Sequence, residues 1–548
     1  MTHSIFLSGI TYLHIHREEK NMMLSEQKDA GSKRYYITTA IDYPNAPPHI
    51  GHSLEKVAAD IVARFHRLQG HDTYFSMGVD ENSQHVVRAA QTNGIDPATW
   101  VDKMDEAFRL AWSRLDISYD YWIRTTQERH IRASQELFRR AQARGDIYKS
   151  IYRGWYCPNC NKFYTDEELV EGKCPDHPSL VPEWLEEENY FFALTKYSDR
   201  LLAHITEHPA FIVPAARRSE VLAMLQQGLR DFSVSRLVRP GTDAWGVPVP
   251  GDPQHIIYVW FDALTNYVTA VGFPDDEAQF ARYWPADAHV IGKDITRFHC
   301  LYWPAMLLSA GLPLPRQVAV HGFITLNGQR ISKTAGNSID PLELVDEFGA
   351  DAVRYSLARN LSFASDGDFS RANLIRHYND ELANDLGNLL NRVVTMIQRY
   401  RGGIIPPPGP VGALEEELQY LAEETRRRAA VALDAWEIGG ALGIIWSFVR
   451  RTNQYIEQSE PWRLARQAEK KELLDTVLSS AAEALRLLAI FLAPYIPSAC
   501  DRIRGQLSLE PVDVGAWVHE GRWGAGTLAR VSAGPLLFPR IDVSTPPS

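Results

Sequence analysis

Short β-branched and aromatic runs alternate with helical spacing of apolar residues near the beginning of the chain. Residues 35–40 and 72–79 predict strands, and the segments that follow, from about Gly51 and from about Ser83, repeat their apolar positions with the period of a helix. This strand–helix–strand order predicts a parallel, doubly wound sheet with helices on its faces. Such a sheet binds its ligand at the carboxyl ends of the strands.

The alternation stops in the middle of the chain and returns later. Between about residues 146 and 250, cysteines, aromatic residues and prolines replace it, which indicates an insertion into the α/β domain. Three later runs, at 256–261, 288–294 and 317–323, predict that the α/β pattern resumes with further strands. Beyond about residue 370 helical periodicity dominates, so we expect a helical domain there.

Composition and charge limit the classes of protein that fit. The 548 residues are 45% hydrophobic and 23% charged, as in ordinary globular proteins with several domains. The net charge of −11 requires any polyanionic partner to meet a local basic face. No apolar stretch approaches the about 20 residues of a membrane helix, and the first residues lack the features of a signal peptide. We therefore expect a cytoplasmic protein with no membrane contact.

Three of the five cysteines occur close together. Cys157 and Cys160 form one CxxC pair, and Cys174 and His177 repeat that spacing after thirteen residues. Two such hooks supply three thiolates and one imidazole, which matches a closed tetrahedral Zn²⁺ site. Because no position is left for a substrate, we expect this zinc ion to be structural. The alternative is a set of reduced thiols without metal.

Two loops carry residues suited to phosphate binding. His49 to His52, with the sequence HIGH, stand where the first strand passes into the first helix, so imidazoles and helix N–H groups can meet phosphate oxygens there. The glycine-flanked loop from Gly328 to Asn337 carries the cations Arg330 and Lys333, which can close over a triphosphate and neutralise developing charge. Taken separately, the histidines could be cap residues and the basic loop a solvated surface.

Together these loops resemble the HIGH and KMSKS motifs of class I aminoacyl-tRNA synthetases. Residues 39–45, 259–267 and 291–299 are similar in detail to the methionyl-tRNA synthetase family, and the similarity extends from about residue 34 to 500. The resemblance implies a Rossmann-like, doubly wound parallel α/β sheet that is split by a zinc-containing connective insertion. An all-α helical-bundle anticodon-binding domain would follow. Arg330 replaces the first lysine of the second motif, so we expect tuned rather than lost activity.

The patterns and the resemblance predict where each segment begins and ends. We expect a disordered N-terminal extension at 1–32 (with Met22 or Met23 as alternative starts), the two halves of the catalytic domain at 33–145 and 256–325, the connective insertion at 146–255, the KMSKS loop with a stem-contact region at 326–383, and the anticodon-binding domain at 384–548.

The resemblance also implies which residues meet each ligand. The catalytic residues would be His49, His52, Arg330 and Lys333. The ATP contacts would be His49, Gly51, His52, Gly292, Lys293, Asp294, Ile331, Ser332 and Lys333. The methionine site would be Ile41, Tyr43, Asp80, Trp260, Leu264, Tyr267, Ile295 and His299, with Asp80 on the substrate ammonium. The anticodon contacts would be Asn388, Arg392 and Trp462.

The implied activity is that of a methionine–tRNA ligase with ATP, L-methionine and tRNA(Met) as partners, Mg²⁺ accompanying the ATP, and a monomeric chain. The sequence leaves room for other members of class I. The relatives specific for leucine, isoleucine and valine rank lower because they need room for a large editing insertion. A cysteine-specific relative ranks lower because its zinc binds the substrate. A third alternative is a non-catalytic RNA-binding paralogue, which intact His49, His52 and Lys333 disfavour.

Overall fold

The structure is a computed structural model that describes residues 33–157, 162–164, 166–175, 180–238, 245–326, 328–330, 339–360, 363 and 365–542. Some of the predicted features lie outside these residues. They are the extension at 1–32, the zinc ligands Cys160 and His177, the side chain of Arg330, and Ile331, Ser332 and Lys333.

The strands are numbered in chain order. They are β1 (Arg34–Thr39), β2 (Asp72–Val79), β3 (Tyr121–Arg124), β4 (Ile147–Cys157), β5 (Lys162–Tyr164), β6 (Glu183–Phe192), β7 (Ile212–Val213), β8 (Phe232–Ser233), β9 (Ser235–Leu237), β10 (Pro248–Val249), β11 (Asp252–Ile257), β12 (Ala288–Gly292), β13 (Val318–His321), β14 (Ile324–Leu326), β15 (Gln329–Arg330) and β16 (Gly367–Phe369).

The α-helices are numbered in the same way. They are α1 (Ile50–Leu68), α2 (Gln84–Thr92), α3 (Pro97–Arg114), α4 (Glu128–Ala143), α5 (Ser198–Glu207), α6 (Ala215–Gln226), α7 (Val259–Leu264), α8 (Asn266–Thr269), α9 (Glu277–Tyr283), α10 (Trp303–Ala310), α11 (Pro341–Phe348), α12 (Ala350–Asn360), α13 (Arg371–Arg376), α14 (Asn388–Arg401), α15 (Ala413–Asp434), α16 (Ile438–Ser459), α17 (Pro461–Leu464), α18 (Lys471–Leu492), α19 (Pro497–Gln506) and α20 (Ala516–His519). Two π-helical segments, Phe298–Tyr302 and His377–Gly387, precede α10 and α14.

The central sheet has the strand order β3-β2-β1-β12-β13-β7 among the described residues. Every neighbouring pair in it is parallel, which confirms the predicted doubly wound α/β sheet. Parallel strands place all their carboxyl ends at one edge, and the loop after β1 leads there into α1. The edge strand β7 comes from within the segment that the sequence predicts as an insertion. In the described residues, no helix is both long enough and apolar enough to cross a bilayer.

The prediction of a strand over residues 256–261 is confirmed for Ile256 and Ile257 and is wrong for the residues after them. Strand β11 ends at Ile257 and belongs to a small antiparallel sheet with β9 and β10, outside the central sheet. Helix α7 begins at Val259, and the carbonyl of Tyr258 accepts the first helical hydrogen bonds, from the N–H groups of Phe261 and Asp262. A short apolar run in a core has the same pattern whether it is a buried strand or a buried helix, so periodicity alone cannot distinguish them.

Arg354 of α12 joins the α/β part of the chain to its helical end. Its guanidinium is fully buried and lies 2.7 Å from Asp60 of α1. It also donates to the carbonyls of Tyr495 at 3.0 Å and Pro494 at 2.8 Å, between α18 and α19, and to the carbonyl of Leu115 at 3.2 Å. Burial alone would raise the pKa of Asp60, but the neighbouring Arg64 and Arg354 hold that pKa well below its ordinary value.

We expect Arg354→Met to lower the free energy of unfolding by about 3–5 kcal/mol, because it leaves buried carbonyls and part of a buried carboxylate without donors. The measurement is the midpoint of urea unfolding followed by tryptophan fluorescence. Arg376→Met is the matched control, since Arg376 is exposed and makes a single long hydrogen bond to Asn373. Equal midpoints for the two variants would contradict the role given to Arg354.

Candidate active site

A cleft of about 590 Å³ opens at the carboxyl edge of the central sheet. Its walls come from the ends of β1, β2, β12 and β13, the first turns of α1, and α7 with α8. Of the residues predicted for ATP and methionine, the cleft is lined by Ile41, Tyr43, His49, Gly51, His52, Asp80, Trp260, Leu264, Tyr267, Gly292, Asp294, Ile295 and His299. The fold thus brings residues from distant parts of the chain into one cavity.

His49 and His52 cap helix α1 with their side chains. The N–H of Gly51 donates to Nδ1 of His49 at 3.1 Å, and the N–H of His49 donates to Nδ1 of His52 at 3.1 Å. The two ring centroids lie 3.9 Å apart. Because each Nδ1 accepts a hydrogen bond, the proton of the neutral imidazole is on Nε2 in both residues. The sequence allowed these histidines to be either helix caps or phosphate ligands. The two roles are compatible, because capping uses Nδ1 and leaves the Nε2–H group as the donor that a phosphate requires.

Four charged or titratable groups form the floor cluster of the cleft: Asp42, Glu55, Lys56 and His321. The Lys56 ammonium lies 3.0 Å from Asp42 and 2.7 Å from Glu55, and Glu55 lies 3.3 Å from Nε2 of His321. Burial raises the pKa of Asp42 to about 6, although Lys56 opposes the shift. Burial would also raise the pKa of Glu55, but Lys56 and His321 bring it below its ordinary value.

Asp80 follows β2 and is buried at the cleft wall. Its Oδ1 has no hydrogen-bond partner, and among the described residues that line the cleft no other buried carboxylate oxygen is left in this way. Burial raises the pKa of Asp80 well above its ordinary value, and the nearby carboxylates Asp262 and Glu81 raise it further. A buried acceptor without a donor is costly, so this position favours a cationic donor from a ligand.

Aromatic side chains form the deeper part of the cleft. The hydroxyl of Tyr267 lies 2.6 Å from Nε2 of His299, whose Nδ1 lies 3.0 Å from the carbonyl of Ile295. Nδ1 can only donate to that carbonyl, so Nε2 of a neutral His299 accepts from the tyrosine. Burial lowers the pKa of His299 to about 4, which keeps the ring neutral near pH 7. Trp260 stacks on Phe298 with centroids 3.9 Å apart.

The loop with Arg330 and Lys333 starts from a hairpin beside the cleft. Strands β14 and β15 pair antiparallel, with Thr325 opposite Arg330. Lys293 does not line the cleft: its ammonium lies 2.7 Å from Asp366, which also accepts the N–H of Phe323 at 2.8 Å. Asp366 therefore connects Lys293 to Phe323, which lies directly before strand β14 of the hairpin. Phe323 itself lines the cleft.

The described zinc-ligand candidates lie in the segment predicted as an insertion, beside an antiparallel sheet. Strand β4 pairs along its length with β6, and β5 pairs with the end of β4. Cys157 and Cys174 are both fully buried and form a small cluster with Tyr164. Two thiols that the chain buries together, seventeen residues apart in sequence, are the kind of ligand that Zn²⁺ prefers, so these residues fit the predicted ion.

The predicted anticodon residues lie at one end of the helical domain. Asn388 is exposed at the start of α14, and Arg392 follows one turn later on the same face. The Arg392 guanidinium lies 2.7 Å from Glu457, near the end of α16. Trp462 of the adjoining α17 is half-buried against the core.

Sequence reasoning missed several residues of the cleft. They are Ala40, Asp42, Glu55, Lys56, His85, Tyr258, Val259, Ala263, Asn266, His321, Phe323 and Ile324. A signal for two of them is present, because Glu55 and Lys56 are adjacent charges in the first turns of a helix whose other side is apolar. His321 ends a buried strand, where the carboxyl edge of a parallel sheet gathers ligand-binding groups.

Comparison with known proteins agrees with this geometry. The sequence matches the family described as tRNA synthetases class I (M) over residues 35–180 and 177–394. A methionine–tRNA ligase of Caldanaerobacter subterraneus subsp. tengcongensis is 45% identical over 514 residues, which cover 93% of this chain and 79% of the relative. One of Brucella melitensis is 44% identical over 510 residues, which cover 92% and 96%.

A solved structure has a similar fold. The Mycobacterium tuberculosis methionyl-tRNA synthetase in complex with methionyl-adenylate superposes with a TM-score of 0.88 at 39% identity, over 93% of this chain and 100% of that chain. Identity at this level over nearly the whole length, together with the family match and the similar fold, decides the assignment. The chain belongs to the methionyl-tRNA synthetase family of class I aminoacyl-tRNA synthetases.

Proposed function

We infer that this chain is a methionine–tRNA ligase. It activates methionine with ATP to methionyl-adenylate and pyrophosphate, and then transfers methionine to the 3′-terminal adenosine of tRNA(Met). The observation that carries this function is the composition of the cleft. One cavity combines an aromatic wall, a buried carboxylate oxygen without a partner and a histidine-capped helix N-terminus. These three features match the side chain and ammonium of methionine and the phosphates of ATP.

The helix N-terminus serves the first step, in which a methionine carboxylate oxygen attacks the α-phosphorus and the bond to the pyrophosphate oxygen breaks. Nε2–H groups of His49 and His52, fixed by their capping bonds, are donors for phosphate oxygens. Mg²⁺ enters with ATP and neutralises phosphate charge. We propose that Arg330 and Lys333 bind the charge that develops at the phosphates. No covalent nucleophile is needed, because the chain positions the reactants and stabilises charge.

The aromatic wall serves recognition of methionine. A thioether is soft and polarizable and packs well on aromatic rings and aliphatic side chains. Trp260, Tyr267 and His299 supply the aromatic surface, and Ile41, Leu264 and Ile295 supply the aliphatic part. The substrate ammonium is then the missing donor for Asp80. This fit supports methionine over the smaller or more polar amino acids.

The helical domain serves recognition of the tRNA. We propose that Asn388 and Arg392 hydrogen-bond to unstacked anticodon bases and that Trp462 stacks on one of them. The exposed face of Asn388 and the single ion pair of Arg392 support this role. Transfer to the terminal adenosine takes place at its 2′-hydroxyl, in the manner of class I. The monomeric state and the cytoplasmic location remain predictions of the sequence.

We also propose one structural Zn²⁺ ion in the connective insertion, with Cys157, Cys160, Cys174 and His177 as ligands. The buried cluster at this end of the β4–β6 pair has only three described members, Cys157, Tyr164 and Cys174, which are too few to form a core by themselves. A bound ion would supply the stability that this segment lacks. The buried pair of described thiols supports this site.

The function is tested by ATP–pyrophosphate exchange with each of the twenty amino acids. We expect exchange with methionine, and a loss of about a hundredfold or more in Lys333→Ala, because one donor to the transition-state charge is removed. Lys103→Ala is the control, since Lys103 is exposed on α3. Exchange driven by another amino acid would overturn the pocket assignment, and no exchange from folded, zinc-loaded protein would favour a non-catalytic RNA-binding role.

Asp80→Asn tests the ammonium site. We expect kcat/KM for methionine to fall by about a hundredfold or more, because the ammonium loses its charged partner while KM for ATP changes little. The raised pKa of Asp80 also predicts that the wild-type kcat/KM for methionine falls as the pH is lowered, because protonated Asp80 cannot pair with the ammonium. In the Asp80→Asn variant, which has no carboxyl group to protonate at this position, we expect this fall of kcat/KM at low pH, the acidic limb of the pH profile, to disappear.

Asp199→Asn, at an exposed position on α5, is the matched control for this variant. The role of Asp80 is refuted if both variants bind methionine as the wild type does.

Metal analysis of the purified chain tests the zinc site. We expect about one zinc ion per chain, retained in Cys500→Ala and lost in Cys157→Ser, with a lower melting temperature for the second variant. Cys500 is buried in the helical domain, so this control also removes a buried thiol. A wild-type protein without zinc, or a Cys157→Ser variant that keeps it, would favour the alternative of reduced thiols without metal.

A further inference from the structure

Asp262 is a buried charged residue directly behind the methionine wall. It lies on the short helix α7, whose Trp260, Ala263 and Leu264 line the cleft. Asp262 itself is fully buried and does not line the cleft. A charge at such a position is retained only when its surroundings satisfy it.

Three side chains donate to the Asp262 carboxylate. His130 and Ser134 of α4 donate to Oδ1, both at 2.8 Å, and the Asn82 amide donates to Oδ2 at 2.8 Å. Neither His130 nor Asn82 lines the cleft. The carboxylate therefore joins α7 to α4 and to the loop that follows β2.

That loop carries Asp80. The backbone N–H of Asp80 donates to the carbonyl of Asp42 at 2.8 Å. The side-chain amide of Asn82 donates to the carbonyl of Thr125 at 3.0 Å as well as to Asp262. Asp80 is thus held between the end of β1 on one side and the Asn82–Asp262 contact on the other. The Asn82–Asp262 contact joins this loop to α7, while Thr125 also holds the loop through Asn82 and the N–H of Glu81.

The charges around Asp80 are mainly negative. Glu81 is paired with Arg124 at 2.8 Å, Asp262 is hydrogen-bonded to His130, and the buried hydroxyls of Tyr43, Tyr258 and Tyr267 are the other titratable groups whose pKa values Asp80 raises. Besides burial, Asp262 is the largest cause of the raised pKa of Asp80. A site with this potential is suited to a cation.

We propose that Asp262 is a positioning residue for the methionine ammonium, which fixes the Asp80 loop through Asn82 and adds negative potential at the site. The inference rests on the proposed function, since it deepens the recognition of the α-ammonium group of the substrate. Substitution of such a positioning residue alters both the affinity for methionine and the pH dependence of methionine activation. Substitution of a residue that only supports the fold would leave the pH dependence unchanged.

The test uses Asp262→Asn in the exchange assay at several pH values. The variant keeps the side-chain size but directs an amide N–H toward at least one of the present donors. We expect KM for methionine to rise about tenfold to a hundredfold, with KM for ATP unchanged. We also expect the acidic limb of kcat/KM for methionine to move to lower pH, because Asp80 loses a like-charged neighbour.

A pair of His130 variants covers the case in which Asp262→Asn fails to fold. His130→Gln keeps an N–H near the position of Nε2 and should stay within about threefold of the wild-type KM, whereas His130→Leu removes the donor and should raise that KM about tenfold. Asp146→Asn is the matched control. Asp146 is also buried and accepts from Ser309 at 2.8 Å, but it does not line the cleft or contact the Asp262 network.

The outcomes separate this inference from the proposed function. A wild-type chain without methionine-dependent exchange overturns the proposed function. An active wild type whose folded Asp262→Asn variant keeps its KM for methionine, or keeps the acidic limb in place, overturns only the role of Asp262. Equal KM values for His130→Gln and His130→Leu overturn it as well.

Discussion

The buried contact between Arg354 and Asp60 fixes the position of helix α1, and the active site depends on that helix. Helix α1 begins at the histidine cap and lies between the central sheet and the helical domain. The guanidinium holds the helix, the loop before β3 and the turn between α18 and α19 at one point. Buried ion pairs often add little net stability, but they disfavour other arrangements because a misplaced charge would be left unpaired. A side chain that does not line the cleft thereby sets where His49 and His52 lie relative to the rest of the molecule.

The described residues of the cleft differ in how completely their charges are paired. In the floor cluster every charge has an opposite or hydrogen-bonded neighbour: Lys56 is shared by Asp42 and Glu55, and Glu55 also faces His321. Asp80 differs, because its Oδ1 is buried without a donor in the described part of the chain. Low polarity makes such a deficit expensive, so an ammonium group that enters the site gains more there than it would at a solvated carboxylate. The floor cluster thus consists of charges that already have partners, whereas the wall at Asp80 has a carboxylate oxygen without a donor among the described residues.

Much of the fold follows from the sequence, because β-branched runs before helical periodicity specify β1, β2, β12 and β13 and hence the parallel order. Residues 258–261 were predicted wrongly because a short, continuous apolar run has no period that separates strand from helix. The two residues of β7 are too few to give any pattern. In the site, motif spacing and family resemblance led to His49, Asp80 and Trp260. The charges of Glu55 and Lys56 are visible in the sequence, but their contact with His321 could not be predicted, because it spans 266 positions and only the sheet brings Glu55 and His321 together.

The histidine cap explains why one short motif can both start a helix and bind a ligand. A helix N-terminus needs side-chain acceptors for its first N–H groups, whereas a phosphate needs donors. Serine or aspartate supplies the acceptor and lysine supplies the donor, but imidazole has both on opposite sides of one rigid ring. With Nδ1 of His49 and His52 engaged by the backbone, the tautomer that satisfies the helix is also the one that places a proton on Nε2. The same two residues can therefore supply the acceptors that the first turn of α1 needs and the donors that a phosphate ligand would need.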